Sequence, residues 1–275
     1  MIPPIIIIGM HRSGTGLLTK LLTKSGVFLG RKTEQNGEAV FFLKINQKIL
    51  KMAKSIWSDP YEFDKNLEFK RERILKFVNK EMRDFFSKNN YWPDINDDRI
   101  LWWGWKDPRN TITLDIWKEI FSDAKIIHIY RNPVDVAASL MNREKKYNRN
   151  GKIKWHFNVL KNYIKLGVIG QRDPKLLDIF RGIELWEFYV KRAFLFKDNI
   201  IHIKYEDLLE NPIDVFSKTL DFLSIDRDRK HIESITKSID NKRKFVFSSE
   251  KDLIDVYKSI KDNEFLKLLG YNKIQ

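Results

Sequence analysis

Pro3–Leu22, PPIIIIGMHRSGTGLLTKLL, is the stretch from which the fold is read. The four isoleucines Ile5–Ile8 make a short, continuous apolar run, the pattern of a parallel strand buried on both faces. The run breaks at Gly9 and passes through the tight turn Arg12-Ser13-Gly14-Thr15-Gly16. It then opens a helix with Leu17, Leu18, Leu21 and Leu22 on its inner side. Strand, glycine-rich turn and helix in that order aim backbone N–H groups and a helix N-terminus at a bound anion. The loop predicts a site for phosphate or a group of its shape.

A nucleotide triphosphatase loop needs G-x-x-x-x-G-K-[ST]. Gly9 and Gly14 have that spacing, but Thr15 and Gly16 stand where the lysine and the Mg²⁺-binding hydroxyl belong. Without the lysine that grips the terminal phosphates and the hydroxyl that holds the metal, ATP chemistry is disfavoured.

Composition narrows the classes further. A chain of 275 residues with 43% apolar content can bury the core of one large domain. It has no cysteine, which excludes disulfides, thiolate metal sites and a cysteine nucleophile together. Its five histidines (His11, His128, His156, His202 and His231) show no metal-ligand spacing, so no metal is expected. The formal charge of +14 is spread along the chain and steers anions inward. Nucleic acid, an anionic co-substrate and an acidic membrane surface all fit that field. The N-terminus carries no basic region, and no stretch approaches the ~20 apolar residues of a membrane span. A soluble, cytoplasmic protein is the expectation for a complete chain.

Further along, Phe41, Phe42, Ile45, Ile49 and Met52 predict a helix, residues 55–67 read as irregular, and Phe69–Phe86 predicts a second helix. Apolar runs at Ile100–Trp105, Lys125–Tyr130 and Ile200–Ile203 predict strands, with helices over Val134–Met141, around Trp186–Phe194 and over Ile213–Leu223. Residues 143–181 form a basic, aromatic, weakly patterned insertion, a lid or a small helical lobe. No repeat or low-complexity linker divides residues 1–275, so a single domain is expected. Alternating strands and helices predict an α/β fold, a parallel β-sheet flanked by helices around a P-loop-like nucleotide site.

In such sheets ligands sit beyond the carboxyl ends of the strands. Those ends carry Arg12-Ser13-Gly14-Thr15, Lys106-Asp107-Pro108-Arg109, Arg131-Asn132-Pro133 and Tyr205-Glu206-Asp207. Arginines suit bidentate phosphate contacts, and a lysine is a point charge able to follow a developing oxyanion. Ser139 lies two helical turns after Arg131, on the same side. Arg131 also has Asp135 at i+4, the spacing of a surface ion pair.

These residues resemble the sulfotransferase family. GMHRSGT (Gly9–Thr15) with its following leucines is similar to the family's 5′-phosphosulfate loop. YRNPVDVAASL (Tyr130–Leu140) looks like its 3′-phosphate motif, an arginine and a serine eight residues apart at a strand-to-helix junction. WKDPR (Trp105–Arg109) is similar to the K-D-P segment of the tyrosylprotein and bacterial branches, and YEDLLENP (Tyr205–Pro212) to a segment near the nucleotide. The four come in the family's order.

The resemblance implies transfer of a sulfuryl group from 3′-phosphoadenosine 5′-phosphosulfate to a hydroxyl or amine acceptor, such as a saccharide or a lipid. Arg12 and the backbone of Ser13, Gly14, Thr15 and Gly16 would hold the 5′-phosphosulfate. Arg131 and Ser139 would hold the 3′-phosphate, with Tyr205 near the adenosine, while Lys106 would stabilise the bridging oxygen. Fixed cations and positioning can then do what a metal does in phosphoryl transfer. Two positions depart from the family. Gly16 stands where Thr or Ser is usual. Pro108 stands where cytosolic members have a histidine base. Other branches use a glutamate after the first helix, which leaves Glu38 and Glu34 in EQNGEAVFF as bases, with Phe42 where the usual motif ends in glutamate. The rival functions are a P-loop nucleotide kinase or phosphotransferase and a nucleic-acid-binding protein. The second rests on charge and on the stretch Lys152–Phe157; no nucleic-acid motif supports it, and no nucleic-acid partner is expected.

Overall fold

The computed structural model describes residues 2–34, 36–87, 102–149 and 172–273. Strand β1 (Ile5–Ile8) leads through the glycine loop into α1 (Thr15–Lys24), followed by α2 (Val40–Met52) and α3 (Phe63–Ser87). Then come β2 (Gly104–Lys106), α4 (Asn110–Ile120), β3 (Lys125–Tyr130), α5 (Pro133–Arg149) and α6 (Ile179–Leu195). Strand β4 (Ile200–Lys204) precedes α7 (Tyr205–Glu210), α8 (Pro212–Leu223), α9 (Arg229–Thr236), α10 (Lys251–Ile260) and α11 (Glu264–Leu268). The four strands form one parallel sheet in the order β2-β1-β3-β4.

Period-two alternation splits the isoleucines of β1 between two cores. Ile6 and Ile8 face a layer built from α2, α3, α4 and α6, where the Phe42 ring stacks 3.8 Å from that of Trp105. Ile5 and Ile7 face α1, α7, α8 and α9. All four are essentially inaccessible to water. Because parallel strands point one way, Ile8, Lys106, Tyr130 and Lys204 end at the same edge. Among the described residues no helix is long and apolar enough to cross a membrane.

Several boundaries differ from the sequence reading. Helix α3 starts at Phe63, inside the segment read as irregular, because Phe63 and Leu67 continue the buried stripe of Ile74, Val78 and Met82. The described part of β2 is Gly104–Lys106, so the strand runs past Trp105, and Ile100 and Leu101 lie outside the described residues. Helix α5 runs eight residues beyond Met141, into the predicted insertion, and α6 already begins at Ile179. Residues 150–171, including Lys152–Phe157, lie outside the described residues.

A buried polar cluster fixes the loop after β2. The Asn46 amide donates to Asp107 Oδ2 (2.9 Å) and Asn110 Oδ1 (2.8 Å), and its carbonyl accepts from Thr113 Oγ1 (2.8 Å) and Trp117 Nε1 (2.9 Å). Asn110 also accepts from Trp105 Nε1 and donates to the Ile7 carbonyl, tying the cluster to β1. Asn46→Ala strands several of these buried groups at once and is expected to cost about 2–4 kcal/mol. Urea unfolding should show a lowered midpoint at an unchanged slope. A loss below about 0.5 kcal/mol, the level of an ordinary surface change, would contradict this role.

Candidate active site

The loop between β1 and α1 is held in shape by its glycines. Gly9 has φ +141°, and a Cβ there would fall 2.3 Å from the Ile129 carbonyl oxygen. Gly14 has φ +100°, caps α1, and lies so close to the Tyr205 ring that a Cβ would meet it at 2.3 Å. Buried Ser13 donates its hydroxyl proton to the Met10 carbonyl, and the Gly9 N–H goes to Thr111 Oγ1 (2.9 Å). The first turn of α1 contains no acidic residue of its own to offset the positive end of its dipole. Among the described residues, no heavy atom outside the neighbouring backbone lies within 4 Å of where a Gly16 side chain would start.

On one side of this loop three guanidiniums converge. Arg12 Nε donates to Ser139 Oγ (2.8 Å). Arg131 Nη2 donates to Asp135 Oδ2 (2.8 Å) and to the Arg243 carbonyl (2.7 Å), and its guanidinium sits 4.9 Å over the Tyr205 ring. Burial, then Arg131 and Arg243, pushes the Arg12 pKa down from its usual value. Among the described residues, Asp135 is the only carboxylate in ion-pair contact with these three arginines, and buried Arg131 Nε has no hydrogen-bond partner. The geometry has positive charge to spare, as an anion site requires. Arg12, Ser13, Gly14, Arg131, Ser139 and Tyr205, far apart in sequence, thus meet at one place.

Arg243 was not singled out from the sequence. It lies in a short 3₁₀ turn, Asn241–Arg243, inside a lysine-rich tail where nothing distinguishes it from surface charge. Two further residues pin the exit of β3. Trp186 Nε1 donates to the Arg131 carbonyl (2.8 Å), and the Asn132 N–H donates to Glu206 Oε1 (2.9 Å). Tyr271 donates its hydroxyl to the other Glu206 oxygen (2.7 Å), and burial raises the pKa of both groups.

On the other side lies Lys106, only 1% exposed. Its Nζ donates to Glu38 Oε1 (2.5 Å) and to the Asn36 carbonyl (2.7 Å). Burial pushes the ammonium down to about 8, against the opposing pull of Asp107 and Glu34. Glu34 accepts from the Asn36 N–H and side-chain amide (2.9 and 2.7 Å). The three residues predicted as catalytic therefore adjoin, but Glu38 is tied to Lys106 as its counter-ion. Asp107 accepts from the Arg109 N–H and guanidinium (3.0 and 2.8 Å). Among the described residues, no group of three or more metal-ligating side chains is present. A cavity of about 140 Å³ is lined by Ser58, which follows Trp57 in sequence, and by Asp59, Tyr61, Lys175, Leu176 and Arg181.

The model of one protein family, described as the sulfotransferase family, matches residues 3–229. This chain belongs to the sulfotransferase family. The match spans β1 to the start of α9 and so includes every strand end described above. The chain is 28% identical over 233 residues to an uncharacterized protein of Aquifex aeolicus, a match covering 84% of this chain and 26% of that protein. It thus spans about a quarter of the length of that relative. Among solved structures, a sulfotransferase from Alicyclobacillus acidocaldarius has a TM-score of 0.51 at 17% identity, covering 99% of this chain and 97% of the other. At that identity the likeness concerns the fold. Mouse sulfotransferase SULT7A1, solved in complex with PAP, gives a TM-score of 0.41 at 17% identity, covering 96% and 68%.

Proposed function

We propose that this sulfotransferase moves a sulfuryl group from 3′-phosphoadenosine 5′-phosphosulfate to a hydroxyl or amine acceptor. What carries the proposal is the positive charge of Arg12, which bonds Ser139, with Arg131 and Arg243 close by, beside a glycine loop, together with the buried Lys106. The residues fit a donor with an anionic group at each end. Arg131, Ser139 and Arg243 hold the 3′-phosphate, with the unpartnered Arg131 Nε as a donor in reserve. Tyr205, packed on Gly14 and stacked by Arg131, forms a wall for the adenosine. Arg12 and the N–H groups from Ser13 to Gly16 hold the 5′-phosphosulfate. The donor supplies a sulfuryl group already joined to a good phosphate leaving group.

Lys106 balances charge that develops on the bridging oxygen, an interaction strongest in the transition state. Glu38 keeps the buried ammonium in place, and the nearby Glu34 carboxylate helps keep it charged. Acceptors enter by the cavity that Ser58 lines, where the Tyr61 ring and charged side chains mix, a lining compatible with a saccharide or the polar end of a lipid.

Arg131→Ala should weaken adenosine 3′,5′-bisphosphate by about 1.5–3 kcal/mol, the size of a charge-assisted hydrogen bond, and 5′-AMP much less. Calorimetry with equal losses for both ligands would rule out the role. For Lys106, kcat/KM for the donor should fall as pH rises through about 8, where the ammonium loses its proton. A lysine of ordinary pKa would hold the rate to about 10. Replacing the pair together, Lys106→Met with Glu38→Gln, avoids an unpaired buried charge. That variant should lose about 10²–10³ in kcat with donor affinity nearly unchanged. A folded double variant with wild-type turnover would remove Lys106 from the mechanism.

A further inference from the structure

His11 sits inside the anion loop, between Met10 and Arg12, and packs on Trp57. Its ring meets Trp57 edge-on at a centroid distance of 4.5 Å, and Trp57 is itself held by the Tyr189 hydroxyl donating to its carbonyl (2.8 Å). His11 Nε2 is buried and has no hydrogen-bond partner among the described residues. An unsatisfied buried nitrogen is costly unless something fills its place in the working state. The ring lies two residues before Ser13, packs on Trp57, whose sequence neighbour Ser58 lines the cavity, and is within electrostatic reach of Lys106.

We propose that His11 Nε2 takes the acceptor's proton during sulfuryl transfer. The proposal rests on the sulfotransferase reading above and assigns the base that reading leaves open, because Glu38 is engaged by Lys106. As the acceptor oxygen or nitrogen bonds to sulfur, the bond from sulfur to the bridging oxygen breaks and its electron pair stays on the 5′-phosphate. The acceptor's proton passes to Nε2 and afterwards to solvent.

The charges around His11 suit a base that switches on with the donor. Arg12 faces it from its own loop, Lys106 from the end of β2, Arg109 from the start of α4 and Arg143 from α5, while Trp57 adds no charge. The carboxylates on these cations are Glu38 on Lys106, Asp107 on Arg109 and Glu144 on Arg143. Burial first, then the four cations, keep the imidazole neutral and able to accept a proton. A bound anion offsets those cations, so the proton affinity of His11 rises when the donor arrives.

The test uses the full chain labelled with ¹⁵N-histidine and titrated by NMR from about pH 5 to 9, with and without adenosine 3′,5′-bisphosphate. Alone, His11 should stay neutral to a lower pH than an ordinary imidazole, and with the ligand its titration should move to higher pH. His11→Gln identifies the resonance and keeps a hydrogen-bonding group near Nε2. With labelled donor it should transfer to aliphatic alcohols about 10²–10⁴ times more slowly, and lose less with an acidic phenol. Its bisphosphate affinity should match wild type. Bisphosphate binding with an unmoved His11 resonance, or wild-type transfer by His11→Gln, would overturn the role and leave the donor reading standing. Absence of bisphosphate binding to the wild type would remove the donor reading and this proposal together.

Discussion

The site hangs on the parallel pairing of β1 with both of its neighbours. Ile5–Ile8 is buried on both faces and hydrogen-bonded on both edges, so its register with β2 and β3 leaves no freedom to slip. That register brings the glycine loop, Lys106 and Arg131 to one edge. Asn110 and Thr111 of α4 bond the Ile7 carbonyl and the Gly9 N–H, so the loop is held from the β2 side as well as by its own glycines. A loop that must meet a small anion with several N–H groups needs such outside support.

Charge is divided unequally across this edge. Around Arg131, among the described residues, positive groups outnumber their carboxylate partners. Around Lys106 the ammonium is matched by Glu38, although the chain as a whole carries +14. Burying an ion pair is an expensive way to gain stability, since desolvation consumes much of the attraction. The pair makes more sense as a device that holds a charge dry and in position. In a dry setting such a charge acts on its neighbours more strongly than it would in water.

The parallel sheet and most of its helices could be read from residue order, because a strand buried on both faces is a run of isoleucines and a surface helix is a stripe. Phe63 escaped that reading because the turn-like Asp59-Pro60-Tyr61 masks the start of its helix. Local motifs carried Arg12, Arg131, Ser139, Lys106 and Tyr205, each tied to a strand end. What no local pattern carries is pairing over distance. The contact of Lys106 with Glu38 spans 68 positions, and that of Arg131 with Arg243 spans 112. Trp186 reads as one member of a core stripe, yet its indole N–H also holds the Arg131 carbonyl. His11 was one of five scattered histidines until the fold set it against Trp57.

The most direct measurement is calorimetry of the wild-type chain with adenosine 3′,5′-bisphosphate in excess EDTA, with ATP as competitor. Binding should be undiminished by the chelator and resist displacement by ATP, because arginines and loop N–H groups supply the contacts. Binding that vanishes in EDTA, returns with Mg²⁺ and yields readily to ATP would mean that the loop serves a metal nucleotide instead.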